Sequence, residues 1–234
     1  MKGTKSGTKA KTGKITIAKD GPYIVTGNVP LDKEGIACDK EGNPDDYKKV
    51  KDYPAQEKYA LCRCGQSKNK PYCDGSHAKA GFDGTETASR VPYKDCADSI
   101  EGPHITLLDN PDLCFGAGFC HGKGGTWTLA QSPDKKDAEK ATRQACNCPS
   151  GRLVAVDKKT GKPIEKTEEQ SITLLEDTRR NVSGPICCRG GMPIVSADGK
   201  EYECRNRVSL CRCGKSYNKP LCDGSHVKAN FKDE

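Results

Sequence analysis

Residues 62–77 have the sequence CRCGQSKNKPYCDGSH, and residues 211–226 repeat it as CRCGKSYNKPLCDGSH. Thirteen of the sixteen positions are identical, at a constant offset of 149 residues. Beyond this stretch the match continues at single positions, such as Phe82 with Phe231. Two copies are too few for a solenoid, so the repeat predicts a pair of small units within one chain.

The composition favours bound metal over a large apolar core. Only 33% of the 234 residues are hydrophobic, whereas 15 are Cys. Small units with so little apolar material need disulfides or metals to be stable. No run of 18 apolar residues, Gly-X-Y period or sustained heptad is present, which excludes a membrane-spanning helix, collagen and a coiled coil. No export signal is evident near Met1, so we expect a cytoplasmic protein whose thiols bind metal.

The net charge of +7 is concentrated at the N-terminus. Residues 1–19 contain six Lys and no acidic residue, so the rest of the chain is close to neutral. A Lys-rich segment with Gly, Ser and Thr is typical of a solvated tail. We therefore expect residues 1–20 to form a basic flexible tail, and we expect neither nucleic acid nor a membrane as a partner.

Each copy of the repeat carries three Cys and one His in the spacing C-x-C-x8-C-x3-H. Four soft or borderline ligands so close together along the chain indicate a metal site. A structural zinc ion takes such a set tetrahedrally, and a 2Fe–2S cluster also needs four ligands, so the spacing leaves both open. The candidate ligands are Cys62, Cys64, Cys73 and His77 in the first copy, and Cys211, Cys213, Cys222 and His226 in the second.

The full pattern, including Pro71, Asp74 and Gly75 and their second copies, resembles the CDGSH iron–sulfur domain family, of the mitoNEET type. The resemblance implies one 2Fe–2S cluster per motif. One iron would be held by the first two Cys of the motif, and the other by the third Cys and the His. It also implies that the two units pair around a pseudo-twofold axis within one chain. A zinc-binding structural or interaction module is the alternative.

The segment between the two copies shows a second cysteine pattern. Cys114-x5-Cys120, followed later by Cys148-Pro149, resembles a divergent single-cluster ferredoxin domain. The resemblance implies a third cluster, 4Fe–4S or 3Fe–4S, because one Cys of the usual run is replaced by Ala117. Cys146 is a candidate fourth ligand. Zinc, or simple burial of two of these thiols, is the other interpretation.

Together these patterns predict an α+β fold, with two small β-rich CDGSH units pairing as an internal pseudo-dimer and a compact ferredoxin-like insert. We expect the tail at 1–20, the first CDGSH domain at 21–95, the ferredoxin-like domain at 96–180, with strands near 105–109, 153–156 and 172–176, and the second CDGSH domain at 181–234. No nucleophile with an adjacent base is evident, so we expect a redox carrier and not an enzyme, acting in electron transfer, cluster transfer or redox sensing. Its partner would be a redox protein or an apo-acceptor of clusters, and the chain would be a monomer. Five thiols have no assigned role, namely Cys38, Cys96, Cys187, Cys188 and Cys204.

Overall fold

The computed structural model describes residues 13–233, which form three sheets joined by short helices. The α+β class expected from the sequence is confirmed. The strands are β1 (Lys14–Ile17), β2 (Tyr23–Thr26), β3 (Leu31–Cys38), β4 (Pro44–Asp52), β5 (Lys58–Leu61), β6 (Asp98–Glu101), β7 (Ile105–Asp109), β8 (Leu153–Asp157), β9 (Pro163–Ile164), β10 (Ser171–Asp177), β11 (Val182–Arg189), β12 (Ile194–Val195) and β13 (Arg207–Leu210). The α-helices are α1 (Ser76–Lys79), α2 (Tyr93–Cys96), α3 (Thr126–Gln131), α4 (Lys135–Asn147) and α5 (Ser225–Lys228), and short 3₁₀ turns cover Pro111–Leu113 and Phe119–His121.

The first sheet has the order β12-β1-β2-β5. Strands β1, β2 and β5 are antiparallel neighbours and carry the first motif at their end, so we call them the first unit. Alternate side chains such as Ile15 and Ile17 are buried, as expected for strands with one face on a core. The edge strand β12 comes from the far end of the chain and runs parallel to β1, with Ile194 opposite Ile15.

The second sheet has the order β13-β11-β10-β3-β4. Strands β10, β11 and β13 are antiparallel neighbours and lead into the second motif, so we call them the second unit. Strand β3, which belongs to the N-terminal part of the chain, runs parallel to β10 with Leu31 opposite Ile172. Strand β4 forms a hairpin with β3 and completes the sheet.

The two units therefore exchange strands, since each sheet includes a strand from the other part of the chain. The motif loops also cross closely. A Cβ on Gly65 would lie 2.6 Å from the Cys213 carbonyl oxygen, and a Cβ on Gly214 would lie 2.5 Å from that of Cys64. Both glycines have a positive φ, of 75° and 76°. Only glycine allows this backbone conformation together with so close an approach.

The third sheet, β6-β7-β8-β9, and the helices α3 and α4 form the middle region, which we define as residues 98–164. Helix α4 begins after Asp134, whose side chain accepts a hydrogen bond from the Lys136 N–H at 2.8 Å and so caps the helix. A separate apolar core lies between α4 and the sheet, and it includes Ala138, Ala141, Ala145, Leu107 and Leu153.

Arg207 on β13 fastens the middle region to the second unit. Its side chain is 4% exposed. The guanidinium donates to the Ala145 carbonyl at 2.6 Å, at the C-terminal end of α4, and pairs with Glu165 at 2.7 Å. A cation at this end satisfies carbonyls that the helix leaves free.

The structure places two segments differently from the boundaries expected from the sequence. Strand β1 lies within the range assigned to the flexible tail, because the alternation of Ile15 and Ile17 outweighs the lysines around them. Residues 1–12, which hold the rest of that tail, lie outside the described residues. Strand β10, assigned to the ferredoxin-like domain, instead lies between β3 and β11 in the second sheet. An apolar run predicts that a segment forms a strand, but it does not predict which strands pair with it.

Within residues 13–233, the chain forms no helix that combines the length and the apolar character needed to cross a bilayer.

Candidate metal centres

Each motif forms a loop closed by backbone hydrogen bonds directly after a strand. The Cys62 N–H donates to the Pro71 carbonyl at 2.8 Å, and the Cys211 N–H donates to that of Pro220 at the same distance. Inside the first loop the Ser67 hydroxyl donates to the Tyr72 carbonyl at 2.6 Å. Because these bonds connect the two halves of the loop, all the Cys of a motif are held near one another.

The carboxylate after the third Cys sets the turn that carries the His. Asp74 accepts hydrogen bonds from the Ser76 N–H at 2.9 Å and the Lys68 N–H at 2.8 Å. Gly75 then adopts a φ of 86° and α1 begins, with His77 in its first turn. These hydrogen bonds hold the pKa of Asp74 well below its usual range. In the second motif, the equivalent Asp makes the same two bonds, to the N–H groups of Ser225 and Tyr217.

The four candidate ligands of each motif are arranged as two pairs. The Sγ atoms of Cys62 and Cys64 are 3.8 Å apart, and those of Cys211 and Cys213 are 3.7 Å apart. Two sulfurs on one tetrahedral metal, with bonds of about 2.3 Å, are separated by about 3.8 Å. The sulfur pairs therefore have the spacing of a chelate.

The third Cys and the His form the other pair. Cys73 Sγ lies 3.4 Å from His77 Nδ1, and Cys222 Sγ lies 3.4 Å from His226 Nδ1. A sulfur and a nitrogen on one tetrahedral metal, with bonds of about 2.3 and about 2.0 Å, are separated by about 3.5 Å. Among residues 13–233, no three His, Cys, Asp or Glu side chains are grouped so as to hold a single ion. Each pair thus has the spacing of two ligands on one metal atom.

Protonation of the second motif also fits metal binding. A hydrogen bond from the Cys213 thiol lowers the pKa of Cys211 to about 6, and the same bond raises the pKa of Cys213. Burial and the nearby Arg212 lower the pKa of His226 to about 4, so its imidazole is neutral at about pH 7. A neutral imidazole and a thiolate are the forms that bind metal. Burial also raises the pKa of Cys222, so the protons of the Cys213 and Cys222 thiols would leave when a cation replaces them.

Arg63 and Arg212, which lie between the first two Cys of their motifs, are both buried. The residues next to them in the sequence do not indicate this burial. Arg212 pairs with Glu176 at 2.8 Å and also with Asp233, and it donates to the carbonyl oxygens of Gly184 and Leu175. Arg63 donates to the Gly84 carbonyl at 2.6 Å, but its Nε and Nη1 have no partner among the described residues. The two motifs therefore differ in how this buried charge is balanced.

The middle region brings three of its candidate ligands to one small cavity. Cys114, Cys120 and Cys148 all line it, together with Arg152. Burial raises the pKa of Cys120 to about 11, and the neighbouring Cys148 adds to the shift. Arg152 lies beside Cys114 and is oriented by Asp109, with Nε–Oδ1 at 2.6 Å, so a positive charge stands next to the three sulfurs.

Cys146 does not join this group. It lies in the last turn of α4, and its thiol donates to the Ile164 carbonyl at 3.4 Å, at the edge of the sheet. Cysteines two apart at the end of a helix point in different directions, which the spacing alone did not reveal. The structure therefore brings Cys114, Cys120 and Cys148 to one cavity, and Cys146 is not among the residues that line it.

All fifteen Cys are free thiols in the structure, including the five without an assigned role. Cys187 and Cys188 are fully buried, and burial raises the pKa of Cys187 to about 11.

Phe115, which follows Cys114, lies against the second motif with its ring centroid 6.0 Å from that of His226. The sequence offered no signal for this contact, since nothing in the repeat indicates where the middle region packs.

Two family models match the chain. The one described as "Iron-binding zinc finger CDGSH type" matches residues 20–78 and 183–227. The one described as "Divergent 4Fe-4S mono-cluster" matches residues 100–158, between the two CDGSH matches. No curated protein matches the chain. Both resemblances indicated by the sequence motifs are thus confirmed, and strand β10 lies outside the middle match, in agreement with its place in the second sheet.

Proposed function

We propose that the chain is a one-electron carrier that holds three clusters. It is an iron–sulfur protein in which two CDGSH-type iron-binding regions lie on either side of a divergent 4Fe–4S region. Each CDGSH motif would bind a 2Fe–2S cluster through three Cys and one His. Cys114, Cys120 and Cys148 would bind a third cluster, 4Fe–4S or 3Fe–4S. Such clusters accept and release single electrons.

The pairwise spacing of the ligands is the observation that carries this proposal. Zinc would require four ligands around one ion, whereas each motif offers two separate pairs at chelating distance. A 2Fe–2S cluster needs two ligands at each of two irons, which matches the arrangement. The second motif repeats the arrangement, with its two pairs at 3.7 Å and 3.4 Å. The zinc module therefore fits the structure less well than the iron–sulfur site.

The chain's own residues set the electrical character of each site. Three thiolates and a neutral imidazole carry one negative charge fewer than four thiolates, which favours reduction relative to an all-Cys site. The Gln66 N–H donates to Cys64 Sγ at 3.4 Å, and the Gly75 N–H donates to Cys73 Sγ at 3.5 Å. Hydrogen bonds to the sulfurs act in the same direction. These features support a carrier with a potential above that of plant-type ferredoxins.

The strand exchange supports the internal pseudo-dimer as part of the same proposal. Strands β12 and β3 each complete the sheet of the other unit, and the motif loops cross at Gly65 and Gly214. One chain would then present two 2Fe–2S sites related by a pseudo-twofold axis. No second copy of the chain is needed for this arrangement, which favours a monomer. The partner of this monomer would be a redox protein.

Visible spectroscopy with iron, sulfide and zinc analysis of the purified full-length protein tests the proposal. We expect a red-brown protein with about eight irons if the middle cluster is 4Fe–4S, or about seven if it is 3Fe–4S. Cys73→Ser should remove about two irons, since a 2Fe–2S cluster has two. Cys38→Ser should remove none, because Cys38 is exposed and belongs to no motif.

Reversible reduction by dithionite and reoxidation in air, without loss of iron, distinguish a carrier from a cluster donor. A colourless protein with stoichiometric zinc would refute the proposal. Loss of iron during a single redox cycle would instead favour delivery of clusters to an apo-acceptor.

A further inference from the structure

The two CDGSH motifs have nearly the same sequence but different surroundings. Cys222 and His226 of the second motif are 3% and 2% exposed. Their counterparts Cys73 and His77 in the first motif are only partly buried. Since the local loops make the same hydrogen bonds, the difference must come from what packs against them.

The cover over the second motif is supplied by Phe115 of the middle region. Its carbonyl oxygen lies 3.1 Å from the position that a Cβ on Gly224 would occupy, and its ring lies beside His226, tilted by 58° to the imidazole. At the equivalent Gly75 of the first motif, the space around such a Cβ is open to 4 Å among the described residues. The first motif therefore lacks the cover that the second motif has.

Two arginines of the second unit hold this cover in place. The loop at residues 115–118, which we call the cap loop, receives a hydrogen bond from Arg180 to the Gly116 carbonyl at 2.7 Å and one from Arg179 to the Ala117 carbonyl at 2.8 Å. Both arginines lie in the turn between β10 and β11, and both pair with Asp177, at 2.7 and 3.5 Å. The corresponding turn of the first unit, at residues 18–22, contains no Arg.

The apolar side of the cap loop is buried together with a ligand. Phe115, Ala117 and Phe119 share one apolar cluster with Cys222 and Cys187. The cap loop follows Cys114 and also lines the cavity of the middle site. It therefore separates the second motif from solvent and lies between that motif and the middle site.

We propose that the cap loop makes the two CDGSH sites functionally different. The first site is the open one, at which a partner protein or a small reagent reaches the Cys73–His77 edge. The second site is retained within the protein by Phe115 and exchanges slowly. This inference rests on the proposed function only for the identity of the bound metal, because the cover is a property of the protein residues.

Thiol labelling of the full-length protein, as purified, tests the difference directly. The protein is exposed to excess N-ethylmaleimide, aliquots are quenched over time, and modified peptides are quantified by mass spectrometry while visible absorbance is recorded. We expect Cys222 to be labelled about tenfold more slowly than Cys73, since buried thiols react only after local opening. Loss of absorbance should then proceed in two phases, the faster one coinciding with labelling of Cys73.

Variants of the cap loop identify the cause. Phe115→Ala should bring the labelling rate of Cys222 to within about threefold of that of Cys73, because the cover is removed. Phe115→Leu retains an apolar cover and should preserve the slow rate. Arg180→Gln removes one anchor of the loop without altering the residues that line the motif, and it should accelerate labelling of Cys222 while leaving that of Cys73 unchanged.

Equal labelling of Cys73 and Cys222 in the unaltered protein would overturn the inference, whatever the variants do. An unchanged Cys222 rate in Phe115→Ala would overturn it as well. If Phe115→Ala also exposes Cys148, the middle region has opened, and the outcome rests on Arg180→Gln, for which an unchanged Cys222 rate contradicts the cap. A protein without iron would refute the proposed function, but the difference in thiol labelling would still test the cover.

Discussion

The buried arginines of the two motifs give a matched pair of substitutions with different expected effects. In Arg212→Met, the carboxylates of Glu176 and Asp233 lose the guanidinium that pairs with them. The Asp233 side chain is only 3% exposed, so water cannot replace that partner fully. The substitution therefore leaves a buried negative charge that is poorly compensated.

The size of the expected loss in the free energy of unfolding depends on the ion pairs that remain in Arg212→Met. Removing one partner of a buried pair costs about 3–5 kcal/mol. Lys33 Nζ stays within 3.3 Å of both carboxylates, which places the expected loss at the lower end of that range. With a urea m-value of about 3 kcal/mol per M, a loss of about 3 kcal/mol lowers the unfolding midpoint by about 1 M.

Arg63→Met is the control, because Arg63 is equally buried but donates only to the Gly84 carbonyl. Within residues 13–233 no acidic group pairs with Arg63, so the substitution leaves no carboxylate without its partner. The lost hydrogen bond is offset by relief of an unpaired buried cation, and we expect a change below about 1 kcal/mol. Its midpoint should therefore fall by less than about 0.4 M.

The assay is urea unfolding of the full-length variants, followed by far-ultraviolet circular dichroism, with iron content measured on the same samples. Both substitutions lie between two candidate ligands, so an effect through metal loss is common to them and the difference isolates the ion pairs. Equal shifts for Arg63→Met and Arg212→Met would refute the reasoning. A larger shift for Arg63→Met would do so as well.

Three further substitutions test the loop crossing, the middle site and a helix cap. Gly65→Ala should cost more than about 2 kcal/mol in urea unfolding, since it combines a left-handed φ with a backbone clash, whereas Gly81→Ala, at a φ of 58° in open space, should cost about 1 kcal/mol. Cys120→Ser should remove the irons of the middle site in metal analysis, and Cys146→Ser should retain them, because Cys120 lines the cavity and Cys146 does not. Asp134→Ala should lower the free energy of unfolding by about 1 kcal/mol through loss of the cap on α4, and an unchanged midpoint would show that the cap contributes nothing.

The motifs could be identified from sequence because their chemistry is local. The ligands of each CDGSH site lie in one short stretch of the chain, so their spacing predicts both the loop and its donor set. The resemblance also indicated Cys114, Cys120 and Cys148, and the structure brings these three to one cavity. The position of Cys146 could not be predicted, because two residues of separation at a helix end do not fix where a side chain points.

The contacts between distant segments could not be predicted in this way. The place of β10 in the second sheet depends on which strand edges remain free, and an apolar run at 172–176 fits several neighbours. The burial of Arg63 and Arg212 depends on residues far along the chain, such as Asp233. The contact of Phe115 with the second motif depends on long-range bonds, such as those of Arg207 and Arg180, that hold the middle region against the second unit.

The strand exchange also affects the order in which the protein is completed during synthesis. Strand β1 is made before β12, and Ile194, which pairs with Ile15, lies 179 residues after it in the chain. At about 5–20 residues per second, this delay lasts about 10–35 s. Strand β3 likewise waits for β10. During this interval the first sheet has an unpaired edge, of the kind that other chains can add to. Synthesis of the later strands therefore completes both sheets, and a chain truncated before Ile194 would keep the β1 edge unpaired.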